Sequence, residues 1–135
     1  MSISFTDREL DVMTVLWDLG SATVAEVRER LPDSLAYTTV LTVLRTLEEK
    51  GFVGHLQEGK AHRYLPLVER QAAGQSAVAR LLETIFRGAP ELLLTQLVSE
   101  RNVSDEELER LRRIVDERIA VAQGHGAGQP QATSR

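Results

Sequence analysis

The chain contains no cysteine, and that absence alone excludes disulfide bonds, thiolate metal sites and thiol-based redox sensing. No stretch approaches the roughly 18 consecutive apolar residues that a membrane-spanning helix needs. The start MSISFTDREL lacks the basic and apolar segments of a secretory signal, so a cytoplasmic protein without direct membrane binding is expected. A basic balance is missing too: the formal charge is −4, whereas phosphate binders are usually basic. Catalytic motifs are also wanting. His55, His62 and His125 form no H-E-x-x-H site, and neither a G-x-x-x-x-G-K-[ST] phosphate loop nor a G-x-S-x-G elbow occurs. The GHGAG near the end lacks the strand before it and the helix after it that a phosphate loop requires. The acidic groups Glu48-Glu49 and Asp105-Glu106-Glu107 read as a solvated face and as charges complementing a helix dipole. No enzyme, no cofactor and no metal site is expected. A chain of 135 residues fits one compact unit or two very small ones.

What is present is organised around YTTVLTVLRTLEEKG, Tyr37 to Gly51. Val40, Val43, Leu44 and Leu47 recur at the spacing that gathers apolar side chains on one side of a helix. At 100° per residue, Thr38, Thr42, Arg45 and Glu49 line the opposite side, with Thr39, Thr46 and Lys50 on one shoulder. Threonine at an exposed helix position costs a few tenths of a kcal/mol, so four on one surface need a reason. A hydroxyl can bond a base edge or a phosphate, its methyl can touch thymine, and arginine bonds guanine bidentately. By residue type alone, the same face is more often an ordinary solvated surface.

In chain order, Phe5-Thr6-Asp7-Arg8-Glu9-Leu10 opens a first helix, with Thr6 and Glu9 as a capping box and Phe5 stapled onto Leu10. Leu10, Met13, Leu16 and Trp17 mark its buried side, and Gly20 ends it. Thr23 and Glu26 cap a second helix, buried through Val24, Val27 and Leu31 and closed by Pro32. The connection to the third helix is short, which predicts a helix-turn-helix. After Gly51 the period becomes that of strands. Phe52 to Gln57 and Lys60 to Leu67 flank a Glu58-Gly59 turn, a two-stranded wing with Lys60, His62 and Arg63 beside the turn, where a wing meets phosphates. A solvated hairpin edge is the plain alternative. The expected fold is mainly α with a small β-hairpin: a winged helix-turn-helix over residues 1–67.

From Glu69 the sequence is helical again. Val78, Leu81, Leu82, Ile85 and Phe86 form one stripe that runs to Gly88-Ala89-Pro90, and Leu92, Leu93, Leu94, Leu97 and Val98 lie on a short helix. Ser104 and Glu107 make a third capping box before Leu108, Leu111, Ile114, Val115, Ile119 and Ala122. Three helices of this size cannot bury such faces against one another. A second copy can, so residues 68–123 are expected to form a helical dimerisation domain, with Val78, Leu81, Leu82, Ile85, Leu111, Ile114, Val115 and Ile119 in its core. Residues 124–135 hold no apolar periodicity and read as a disordered tail.

LAYTTVLTVLRTLEEKGFV followed by GKAHRYLPL resembles the penicillinase-repressor family, which includes the β-lactamase and methicillin-resistance repressors and the copper-responsive repressors. The resemblance covers nearly the whole chain, with TDRELDVMTVLWDLGSATVAEVRERL matching the first two helices and SDEELERLRRIV the last. It implies a winged-helix homodimer that binds palindromic double-stranded operator DNA and represses transcription. The residues expected to contact DNA are Tyr37, Thr38, Thr39, Thr42, Arg45, Thr46, Lys50, Lys60, His62 and Arg63. Tyr37 enters by resemblance as a phosphate contact, with packing as its other reading. The paired cysteines of copper-responsive members are missing, so copper sensing is not expected. In the antibiotic-resistance members, a membrane-bound metalloprotease sensor triggers cutting at an Asn-Phe bond. Here Gln96-Leu97 occupies the corresponding position, which leaves induction by proteolysis, and the nature of the signal, open.

The rival reading is a winged-helix module that docks to protein and not to DNA. Its support is the charge of residues 1–67, seven Lys/Arg against ten Asp/Glu, a net −3. Against it, Arg45, Lys50, Lys60 and Arg63 are expected to cluster on the recognition side, and salt screens charges beyond about 8 Å.

Overall fold

The computed structural model describes residues 3–100 and 103–124. Along them run α1 (Asp7–Leu19), β1 (Ala22–Thr23), α2 (Val24–Arg30), α3 (Tyr37–Glu49), β2 (Val53–Glu58), β3 (Ala61–Pro66), α4 (Arg70–Thr84), α5 (Pro90–Glu100) and α6 (Asp105–Ala122). Three helices begin with the same local chemistry. The hydroxyls of Thr6, Thr23 and Ser104 accept from the backbone N–H of Glu9, Glu26 and Glu107, whose carboxylates accept in return from the capping residue. Each box satisfies two of the N–H groups that a helix start leaves without partners. The expected tail, apart from Gly124, lies outside the described residues, as does His125.

Two compact units result, Met1–Thr84 and Ile85–Arg135. In the first, Val12, Met13 and Leu16 of α1, Val27 of α2, Val40, Leu44 and Leu47 of α3, and Val53 and Tyr64 of the sheet form a core closed to solvent. The face of α1 is rotated from the one expected. Leu10 is 45% exposed, and the inward row runs Glu9, Val12, Met13 and Leu16. The reason is a carboxylate: Glu9, 5% exposed, takes the first inward position because its two oxygens are both engaged. Phe5 packs edge-on against Trp17 and Phe52, with ring centroids 6.1 and 5.0 Å away.

The sheet has three strands in the order β1-β3-β2, not two. Ala22 pairs with Tyr64 and Thr23 with Arg63, so the segment entering α2 is fastened to the hairpin. The hairpin loop is one residue later than expected. Glu58 still pairs with Ala61, and the turn is Gly59-Lys60, with Gly59 at φ +61°. Glycine at the first of two loop positions is what a type II′ hairpin turn calls for.

α4 packs with this first unit. Ala73 is buried, Ser76 Oγ donates to the Ile3 carbonyl at 3.0 Å, and Arg70 bonds Asp18 at 2.7 Å while lying over the Trp17 ring. The packing boundary therefore falls after Thr84, beyond the change of period at residue 67. In the second unit, Arg87 (φ 53°) and Gly88 (φ 79°) turn the chain into α5. No residue of α6 is buried: Ile114 is 62% and Ile119 47% exposed, and Val115 is exposed alongside them. Leu111 is half-buried, as is Leu82 on α4, where Val78 and Leu81 are exposed; Ile85, just beyond α4, is exposed too.

Candidate nucleic-acid interface

α3 is held from below and left open above. Val40, Leu44 and Leu47 point into the core, while Tyr37, Thr38, Thr39, Thr42 and Arg45 are exposed and Thr46 is half-buried. The helix starts at Ala36 with no side-chain cap, unlike the three boxed helices. Thr42 Oγ1 donates to the Thr38 carbonyl at 2.9 Å, which satisfies its proton and leaves its lone pairs and methyl facing outward. Arg45 makes no hydrogen bond or ion pair among the described residues.

The remaining nominated cations divide sharply. Lys60, on the hairpin loop, is exposed and without an ionic partner among the described residues. Lys50 is tied down: its Nζ donates to Glu9 Oε2 at 2.7 Å while the Thr6 N–H donates to Oε1 at 2.9 Å. Burial pushes the Glu9 carboxyl up, but the bonds from Lys50 and Thr6 and the charge of Lys50 outweigh it and hold the net value below the usual range. Arg63 is tied down more fully, between Glu58 of β2 and Glu26 of α2. Its bonds to the two carboxylates raise the guanidinium pKa further. Glu26 is lowered by the Thr23 N–H and by Arg63, and Glu58 by Arg63.

Between helix and wing lies a cluster that the sequence reading did not assemble. His62 stacks on His55 with ring centroids 4.2 Å apart, and His55 Nδ1 lies 2.7 Å from Glu48 Oε2 on α3. Tyr64, buried beneath them, has its phenol pKa raised by burial and by Glu48. The one signal that could have found this cluster is register, since His55 stands opposite Tyr64 across the hairpin. No group of three His, Asp or Glu side chains able to hold a metal ion occurs among the described residues. No helix there is long and apolar enough to cross a membrane.

Asp18, Glu9, Glu26, Glu58 and Asp33 are each neutralised by a nearby cation, Arg8 serving Asp33 at 2.8 Å; on α3 and the hairpin the charges without an ion pair among the described residues are the cations Arg45 and Lys60 and the acid Glu49. A helix-turn-helix carrying an open polar helix and a hairpin beside it defines a winged-helix regulator. The model of the penicillinase repressor family matches residues 5–117, and the chain belongs to that family of transcriptional repressors. It is 35% identical over 128 residues to the transcriptional regulator BlaI of Mycobacterium tuberculosis, covering 92% of this chain and 89% of the relative. With the penicillinase repressor of Bacillus licheniformis it shares 26% identity over 114 residues, 83% of this chain and 89% of the relative. The solved structure of a MarR family protein from Bacillus stearothermophilus has the same fold, at a TM-score of 0.52 and 18% identity over 88% of this chain and 76% of that one.

Proposed function

We propose that the protein represses transcription by binding a palindromic operator as a homodimer, with α3 in the major groove and the hairpin wing along the backbone. The observation that carries the reading is which cations are left open: near α3 and the wing Glu48, Lys50, Glu58 and Arg63 are matched within the fold, while Arg45 among its threonines and Lys60 on the loop are available to an outside partner, with Glu49 at the far end of α3 the one acid there without an ion pair among the described residues. Arg45, Thr38, Thr39, Thr42 and Thr46 read base edges, and Lys60 holds phosphate. Tyr37 and the uncapped start of α3 meet the backbone there, since unpartnered N–H groups favour an anion. The wet apolar stripes of α4 and α6 support a second copy as partner, and two linked recognition helices raise avidity by about 10² to 10⁴-fold. An electrophoretic shift on a duplex from the protein's own promoter tests the reading. Sequence-preferring retardation is the expected result, and no shift at all would favour the protein-docking module.

Relief of repression acts, in this reading, on residues 68–123, and a membrane-bound sensor metalloprotease is the partner that family membership brings forward. Gln96 lines an open groove of about 330 Å³ with Phe86, Leu92, Thr95 and Ser99, and Leu97 is exposed. Gln96-Leu97 sits within α5, so cutting there requires the helix to open locally. Mass spectrometry of the protein from induced cells tests this: fragments ending at Gln96 are expected, and an intact chain during full induction contradicts it.

A further inference from the structure

We infer that Arg63 is the clasp that sets the wing's position on the helical scaffold, a positioning residue for DNA binding and not a phosphate contact; the inference rests on the DNA-binding reading above. Arg63 lies in the middle strand, opposite Thr23 of β1 on one side and Leu56 of β2 on the other. Its Nε and Nη2 donate to Glu58 Oε1 and Oε2 at 2.6 and 3.1 Å, a bidentate grip next to the loop that carries Lys60. Nη1 and Nη2 donate to Glu26 Oε1 and Oε2 at 3.1 and 3.5 Å, and Nη1 reaches Ser21 Oγ at 3.4 Å. A guanidinium has five N–H donors, and these five bonds occupy all of them. The side chain is only 26% exposed. A phosphate would have to displace a carboxylate and approach two negative groups to reach it.

The same geometry gives the clasp its use. Glu26 Oε1 also accepts from the Thr23 N–H, so the grip on the wing is transmitted to the capped start of α2. Without Arg63, Glu26 and Glu58 become two like charges facing each other, and each resists the wing's return to α2. Lys60 rides on that wing. The closed clasp holds its distance from Arg45 ready before binding; an open one leaves the Lys60 contact available in the complex but charges binding with ordering the wing.

The test is the salt dependence of binding by the full-length protein to a duplex from its own promoter, together with amide hydrogen exchange of the free protein. Removing a phosphate contact lowers the slope of log affinity against log salt by about 1, which is the expectation for Lys60→Ala. Arg63→Ala should weaken binding about tenfold with the slope unchanged, because order and not a counterion is lost. Arg63→Lys should fail to rescue it, since an ammonium cannot hold two carboxylates bidentately. Glu58→Gln is the sharpest variant: it removes a negative charge beside the interface, so bare electrostatics tightens binding, whereas an opened clasp weakens it. Glu26→Gln should act in the same direction while keeping the capping box, which accepts glutamine. Exchange at β2 and β3 amides should rise in all of these clasp variants. A slope lowered by about 1 in Arg63→Ala with affinity restored by Arg63→Lys, or tighter binding by Glu58→Gln, overturns the inference. If the wild type binds no duplex, the DNA-binding reading itself fails, and unchanged exchange in Arg63→Ala and Glu58→Gln would still refute the clasp.

Discussion

The first unit and helix α6 solve the same problem in opposite ways. In the first unit, apolar faces from three helices and a sheet close over one another, and even a carboxylate at an inward position has both oxygens bonded. Along α6, Leu108, Ile114, Val115 and Ile119 repeat at helical spacing and stay in solvent, with no residue buried. An isolated apolar side chain on a surface is ordinary, but a continuous stripe marks an interaction site. The core of the first unit is closed within a single chain; under the dimer reading proposed above, the stripes of α6 and of α4 are covered by a second copy.

The most severe way to break this contrast is to charge the stripes. Replacing Leu82 and Ile119 together with Asp should yield a monomer by sedimentation, with operator affinity down by about 10² to 10⁴-fold, because the second docking is no longer intramolecular. The winged-helix unit should keep its fold. Conversely, Leu44→Ala hollows the first unit's sealed core and should lower its unfolding free energy by about 2–5 kcal/mol in urea titrations, with association unaffected.

Smaller effects separate contact from scaffold. Arg45→Ala should cost about 1–3 kcal/mol on the operator and relax specificity, whereas Lys60→Ala should weaken operator and random duplex alike. An unchanged ratio of operator to random binding in Arg45→Ala would remove the reading role from α3. Lys50→Met should cost about 1–3 kcal/mol of stability at neutral pH, less than a fully sealed pair, because Lys50 is 41% exposed. The folded Glu9 carboxyl lies below its ordinary value of 4.5, so its contribution is complete above that value and fades as pH falls through the lower folded one. The gap between Lys50→Met and wild type should therefore narrow as pH falls from 4.5 through the lower folded value, measured by urea unfolding across a pH series.

Much of this was legible in residues with local causes. α3 announced itself because an apolar face repeated across thirteen residues, and all three capping boxes were readable because their partners stand three positions apart. Features with distant causes were not. Glu9 goes inward because of Lys50, 41 residues away, and that reversal turned Leu10 outward. Arg63 meets Glu26 across 37 residues, so its charge looked free in the sequence. β1 was missed because two residues carry no period at all. The turn shifted by one residue because Glu58, read as loop, pairs with Ala61.

Sedimentation equilibrium of the wild-type protein mixed with a duplex from its own promoter bears most directly on the contrast between the closed core and the exposed stripes. The account predicts two chains per duplex, and a dimer when DNA is withheld. A monomer that binds the duplex tightly, one chain to each, would contradict it.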